Sequence, residues 1–513
     1  MVNVLNKVEI FLISDGIAAD TLVDTISQQF PAKIKPPHRV RLAYYDTFDW
    51  ALYNSGLSLS RLSKEYSLRS LQDDLVLQTI HWNSNSIPIF LEAFSENFVS
   101  GKLKRILAIR SLFLRGKLET EIQTMHVLDE LKKTVLQVRV EKIRVRKAPT
   151  INLVVLKPIR GYRKQYRQVS KFISEIGNRC EPTEVFKLIL GAVGATPGDY
   201  SSNMRVQLQP DMATQKATVI ILKRLLEIMR QNSPGISADI DTECLHEFRV
   251  AVRRTRSALG QIKNVFPDEV IKQFKRRFAD LGQASNVLRD LDVFLLKKRR
   301  YEEMLPDVLR TKLTPLFETL GADRDRQHRE FVAVLNSGSC RSLLQNWESF
   351  LDNSAGESAE KPKYADRQVL ELARKYSFKQ FNRVITLGRS VDESTPDKEL
   401  HTFRIQCKNL RYLLEFFSSL FPQAKTATLI RQLKNQQDNL GEYNDLGIQQ
   451  SQLESFLLRV TTPQNNKTGT AAAIGGLIAS LYQHQLNVRR KFEPTFREFS
   501  NTDSVNVYHE LFG

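Results

Sequence analysis

Residues 245–259 read LHEFRVAVRRTRSAL, and residues 400–417 read LHTFRIQCKNLRYLLEFF. Each opens on Leu-His and then places cations at the same intervals: His246, Arg249, Arg253 and Arg256 in the first, His401, Arg404, Lys408 and Arg411 in the second. The offset from His246 to His401 is 155 residues, and Asp290 maps onto Asp445 at the same offset with no gap. This is an internal repeat. At about 100° per helical residue the four basic positions fall within an arc of roughly 80°, so each copy predicts a helix with one cationic stripe. The opposite face carries Phe248, Val252 and Leu259 in one copy and Phe403, Cys407, Leu410 and Leu414 in the other, an apolar stripe expected to face a core.

Like charges three and four residues apart destabilise a helix by roughly 0.2–0.5 kcal/mol per pair, so helix stability alone does not favour such a stripe. A solvated face answered by acidic neighbours is the plain alternative, but two matched copies favour a compensating anion. If the copies pack as pseudo-symmetric halves, the two rails converge on one groove. There guanidinium forks grip phosphate oxygens in pairs, and lysine acts as a point charge.

The length of 513 residues suggests several domains, and 42% hydrophobic content is ample to build their cores. A formal net charge of +18 favours polyanionic partners without choosing among them. Residues 101–200 hold 21 Lys and Arg against 9 Asp and Glu, whereas residues 201–513 hold 46 against 37, so bulk charge does not single out the repeats. Cys180, Cys244, Cys340 and Cys407 form no CxxC pair or regular framework, which indicates neither a zinc site nor a disulfide scaffold. No basic and apolar leader opens the chain, and no apolar run reaches the roughly 18 residues needed to span a bilayer, so a soluble cytoplasmic protein is expected.

Short β-branched runs such as residues 135–140 and 151–156 give the first 175 residues a strand-like texture. The Gly-, Pro- and Ser-rich stretch at 194–203 marks a boundary, after which the period changes from 2 to 3.6. Polar segments at 231–241, 353–363 and 461–469 separate amphipathic helices. The reading is an α+β multidomain chain, with a β-rich domain over 1–198 and an all-α domain over 204–513. The helical repeats cover about 204–352 and 364–513.

The two strings above, with VLRDLDVFL at 287–295 and NLGEYND at 439–445, closely resemble the CHAD domain, the conserved histidine α-helical domain. That resemblance implies two four-helix bundles about a pseudo-twofold axis and a basic central channel that binds inorganic polyphosphate. It places the family's histidines on His246 and His401, and its channel cations on Arg249, Arg253, Arg256, Arg404, Lys408 and Arg411. Arg254 and Arg289 are further candidates, and Tyr412 is the one aromatic on the arc. Arg289 precedes Asp290 while Asn444 precedes Asp445, so the halves are not equivalent there. Asp290 and Asp292 invite a metal-pair reading, but Arg289 beside them favours a salt bridge or helix-end role.

In the first half, residues 44–59, YYDTFDWALYNSGLSL, resemble the YYDTxxxxLxxxGxxL segment of the CYTH domain, a family of triphosphate-tunnel metalloenzymes. Active members carry a Glu-x-Glu-x-Lys strand; the matching string here is Glu9-Ile10-Phe11-Leu12-Ile13, which retains Glu9 alone. The family's Arg-x-Arg pair after Leu59 is represented by Ser60-Arg61-Leu62. Magnesium demands near-octahedral oxygen coordination, which one glutamate cannot supply, so a degenerate CYTH-like domain is expected. The run QVRVEKIRVRK at 137–147, with Arg139, Arg144 and Arg146, is either an exposed sheet face or an anion cradle inside a barrel.

Walker, GxGxxG, HExxH and GxSxG motifs are absent from the sequence. The expectation is therefore a polyphosphate-binding protein with no catalytic residue, metal or cofactor, for which association with polyphosphate granules, sensing and scaffolding are all open roles. One rival is a metal-dependent triphosphatase drawing carboxylates from Glu141 or Asp46. Another is an RNA or single-stranded nucleic-acid binder, which would need more aromatic platforms than Tyr412.

Overall fold

A computed structural model describes residues 8–13, 19–82, 101–107, 110–145, 148–200, 202, 204, 206–354, 362–392, 394–460 and 468–513. The chain divides into two compact units, Met1–Ser201 and Ser202–Gly513. Arg146 lies outside the described residues.

Among the described residues the first unit holds ten strands: β1 (Glu9–Ile13), β2 (Ala32–Ile34), β3 (His38–Asp46), β4 (Leu57–Leu62), β5 (Glu65–Ser70), β6 (Val76–His81), β7 (Phe113–Leu128), β8 (Thr134–Arg144), β9 (Ile151–Pro158) and β10 (Gly177–Cys180). Its helices are α1 (Ala19–Gln29), α2 (Ala51–Asn54), α3 (Gly101–Leu107), α4 (Arg163–Ser174) and α5 (Pro182–Ala192). All pairings are antiparallel, in the order β10-β1-β9-β8-β7-β3-β4-β5-β6, with β2 added to β7.

Strand alternation divides β8 between two surroundings. Leu136, Val138 and Val140 pack under Leu22 and Ile26 of α1 and Val169 and Ile173 of α4. Arg139 and Glu141 point the other way, into a cavity of about 190 Å³ that Val185, Phe186 and Ile189 of α5 help to line. This antiparallel sheet around an internal cavity is consistent with the expected tunnel.

The second unit is helical: α6 (Thr214–Ser237), α7 (Thr242–Gln261), α8 (Asp268–Ala284), α9 (Asn286–Leu296), α10 (Lys298–Glu303), α11 (Asp307–Arg310), α12 (Thr314–Leu335), α13 (Gly338–Asn353), α14 (Val369–Arg389), α15 (Asp397–Phe416), α16 (Gln423–Val460), α17 (Thr468–Arg490), α18 (Phe492–Phe499) and α19 (Thr502–Phe512). The starts of α14, α15 and α16 follow those of α6, α7 and α8 by 155 residues, and the end of α17 follows that of α12 by the same interval. The repeat read from two strings therefore extends over most of the unit. The expected apolar stripes are buried: Phe248, Val252 and Leu259 on α7, and Phe403, Cys407, Leu410 and Leu414 on α15.

The copies differ in where their helices break. The first interrupts its helix at Ser285, between α8 and α9, whereas the second runs through as the 38-residue α16. Ser285 turns its hydroxyl back on the Gly282 carbonyl at 2.8 Å, competing with the backbone ladder, and receives a hydrogen bond from Arg249. The matching residue is Leu440, which is buried and continues the helix.

Candidate anion-binding site

The two cationic helices pack on each other. Ser257 of α7 donates to Asn409 Oδ1 of α15 at 3.2 Å, Gln261 Nε2 donates to the Asn409 carbonyl at 3.1 Å, and Arg254 Nη2 reaches Glu415 at 2.6 Å. The two stripes consequently approach each other: Arg249, Arg253, Arg256, Arg404, Lys408 and Arg411 are half-buried there, while His401 stays exposed. Packing α7 against α15 removes both stripes from open water at once.

The charges respond as a cluster. Lys408 is held down to about 7, first by burial and then by Arg404 and Arg253, with Arg411 adding to the effect and Asp445 opposing it. Arg404 is lowered by burial and by Arg253, against Asp445 and Tyr412. Burial, with Arg253 and Arg289, brings Arg249 to about 10 while Asp290 opposes. Arg253 of the first copy thus acts on Arg404 and Lys408 of the second. The 155-related acids Asp290 and Asp445 also sense each other, since Asp290 is raised by burial and by Asp445 despite Arg249 and Arg289.

Donors outnumber acceptors here. The buried Nε atoms of Arg249, Arg253, Arg254, Arg256, Arg404 and Arg411 make no hydrogen bond among the described residues. A buried donor without an acceptor costs about 1–3 kcal/mol, which makes this cluster of guanidinium groups a candidate anion site. Arg249 uses its other nitrogens on the Gly282 carbonyl at 3.0 Å and on Asn286 at 2.8 Å. Arg404 has Asp445 at 3.9 Å, beyond hydrogen-bond reach.

Other candidates are differently placed. Arg289 turns to Glu243 at 3.5 Å and to the Thr242 carbonyl. Arg254 and Arg411 share Glu415, and both guanidinium groups lie over the Tyr412 ring, at 5.6 and 5.5 Å. Tyr412 is 4% exposed, so it supports two arginines from beneath and offers no open face for a base. His401 is exposed, its Nδ1 3.2 Å from Asn444 Oδ1. His246 stands with Glu243 and Glu247, their ligand atoms within 4.8 Å of one another, a set chemically able to hold a divalent ion. The matching positions in the other copy are Lys398 and Thr402, so that set is not repeated. Asp292 is buried against Arg324 at 2.9 Å, a salt bridge.

The family model of the CHAD domain matches residues 220–454. Residues 220–454 are a CHAD domain. A crystal structure of the CHAD domain from the plant Ricinus communis is similar at 21% identity, covering 61% of this chain and 97% of that one with a TM-score of 0.46. PptA from Streptomyces chartreusis is similar at 16% identity, covering 56% and 97%, with a TM-score of 0.41. No curated protein matches the chain. The CHAD match spans α6 to most of α16; α17, which repeats α12, lies beyond it in the same compact unit.

Sequence reasoning missed two features of this domain. Glu415 stands four residues after Arg411, which signals a helical ion pair, but nothing local shows that it also takes Arg254 from the other copy. The second is a cavity of about 630 Å³ between the copies, with walls from α9, α12, α15, α16 and α17 and with His401, Arg404 and Asp290 at its lining.

Among its described residues the first unit supplies no comparable cluster. Glu9, the residue kept from the metal-binding strand, accepts from Ser170 at 2.7 Å and pairs with Arg179 at 3.0 Å, and it does not line the cavity. Asp46 is buried, accepting the amides of Thr47, Leu52 and Tyr53 at 2.7–2.9 Å, and burial raises it to about 6 against those bonds. It caps the turn into α2. Within the cavity Arg139 pairs with Glu141, and Arg69 with Asp74 at 3.3 Å, so its cations are already answered. Arg144 faces the other side, 3.6 Å from Glu121.

Proposed function

We propose that the CHAD domain binds inorganic polyphosphate, without catalysis, in the crevice between α7 and α15. The observation that carries this reading is the set of buried arginine Nε donors lacking acceptors, packed around a lysine that burial and its neighbours hold near neutrality. A chain of phosphates supplies both the acceptors and the negative charge that such a cluster lacks, and guanidinium forks match its oxygen geometry. Nucleic acid supplies phosphates too, but its bases need aromatic faces, and Tyr412 is covered.

A metal-free titration with long-chain polyphosphate and with single-stranded RNA at about 150 mM salt tests the reading, because phosphate binding releases counterions and weakens with salt. Polyphosphate is expected to bind tightly and to resist displacement by RNA. The double variant Arg253→Glu, Lys408→Glu, which reverses one charge on each rail, is expected to lose nearly all affinity; retained affinity would remove the crevice assignment. Release of phosphate from tripolyphosphate with Mg²⁺ or Mn²⁺ would overturn the non-catalytic part.

A further inference from the structure

The cavity between the two copies differs in chemistry from the rails it adjoins. Leu291 and Phe294 of α9, Leu316 and Leu320 of α12, and Leu453 and Phe456 of α16 form its walls. Protein interiors close-pack and leave few voids larger than a water molecule, so an apolar space of about 630 Å³ is the size of a ligand site and far above a packing defect. Val287 and Ile448, both lining residues, are 53% and 44% exposed and give the space an apolar lip.

The polar residues of the lining are not equivalent. Asp323 is answered by Arg326 at 2.8 Å, Asp397 by the Tyr443 hydroxyl at 2.7 Å, and Asp290 by the field of Arg249 and Arg289. Arg404 retains a buried Nε without an acceptor, and Arg253 and Lys408 stand behind it. Its ion partner Asp445, at 3.9 Å, makes no hydrogen bond to it. His401 lies beside it in the lining. The lining holds Asp290, Asp323 and Asp397 beside Arg326 and Arg404, and Arg404, with Arg253 and Lys408 near it, is the group there with capacity for an anion.

We propose that this cavity takes an amphipathic organophosphate, a hydrocarbon chain esterified to phosphate or diphosphate, with the chain against the Leu and Phe walls and the head at Arg404 and His401. The position of the head rests on the phosphate reading of the rails; the apolar part does not. A phosphate suits Arg404 better than a carboxylate because its greater charge is also felt by Arg253 and Lys408, which stand near Arg404 outside the lining.

The test is calorimetric titration of the full chain with geranyl diphosphate, decyl phosphate, inorganic pyrophosphate and inorganic phosphate. Geranyl diphosphate is expected to bind about tenfold or more tighter than pyrophosphate, since a hydrocarbon chain leaves water on binding. The same gain for decyl phosphate over phosphate assigns the site to hydrocarbon chains in general; a gain confined to the geranyl ester assigns it to isoprenoids. Ile448→Trp on the lip and Leu320→Trp in the wall fill the space without touching a rail cation. Both are expected to abolish the gain while leaving pyrophosphate and long-chain polyphosphate unchanged, with circular dichroism reporting that each variant folds. Equal affinity for geranyl diphosphate and pyrophosphate overturns the site, as does a gain that both tryptophan variants preserve. A preserved gain with no polyphosphate binding supports the cavity and overturns the rail reading, so the two failures are distinct.

Discussion

Lys408 is the residue on which the site's pH behaviour turns. Its value falls from the ordinary 10.5 to about 7, because burial and then Arg404 and Arg253 disfavour its charge. In the fold the neutral amine is preferred, so the cost to stability is complete below about pH 7 and disappears as pH rises through the ordinary value of about 10.5. Lys408→Met should therefore raise the melting temperature more at about pH 6 than at about pH 9; a pH-independent change would contradict the assignment. A bound polyanion favours the charged amine, so affinity for long-chain polyphosphate should weaken as pH rises above about 7, with proton uptake in calorimetry. Lys408→Arg, charged throughout, should flatten that profile. Glu415 is the opposite case, an internal carboxylate that occupies Arg254 and Arg411. Glu415→Gln should release both, steepening the slope of log affinity against log salt by up to about 2. It should also cost about 3 kcal/mol in urea denaturation, because the cations over Tyr412 lose their partner. An unchanged salt slope in a folded variant would show that these arginines lie off the binding path.

At the scale of elements, the helices are set by apolar stripes and their ends by local chemistry. Asp241 caps α7 by accepting the Glu243 amide at 2.8 Å, and Ser337 caps α13 by accepting from Cys340 at 3.1 Å. Close packing then places one stringent demand on α14. A Cβ on Gly388 would sit 2.1 Å from the Phe496 ring of α18, so Gly388→Ala forces ring and helix apart. Overpacking of this kind costs about 1–3 kcal/mol, which a melting curve would report, and Gly441→Ala in α16, where the Cβ meets nothing within 4 Å, is the matched control. The break at Ser285 belongs to the same scale. One hydroxyl against one buried leucine makes two helices in the first copy and a single long one in the second.

For the whole molecule, each unit carries its own core: the sheet against α1 and α4 in the first, and the Phe294, Tyr301, Phe317 and Leu477 cluster among others in the second. All the rail cations lie within Ser202–Gly513. That unit produced alone should bind polyphosphate as the full chain does; a large loss of affinity would show that the first unit contributes to the site. No helix among the described residues is long and apolar enough to cross a membrane.

The repeat, the cationic stripes, the apolar faces opposite them and the division into a β-rich and a helical half were legible in the sequence, because each is a matter of local period: 3.6 along a helix, 2 along a strand, and 155 between copies. The sequence showed Glu9 as the one carboxylate kept from the Glu-x-Glu-x-Lys pattern, but its attachment to Ser170 and Arg179, 161 and 170 residues away, was not visible. The sequence brought the two rails into one groove only on the condition that the copies pack as halves, and it did not show which cations meet, the capture of Arg254 by Glu415, the covering of Tyr412 or the cavity between the copies. Those features arise where helices distant in sequence pack together, and they depend on crossing geometry and on which side chains leave water together. The sequence by itself determined which helical face carries charge; tertiary packing decided that the two charged faces meet, and with it how far each cation's charge is perturbed.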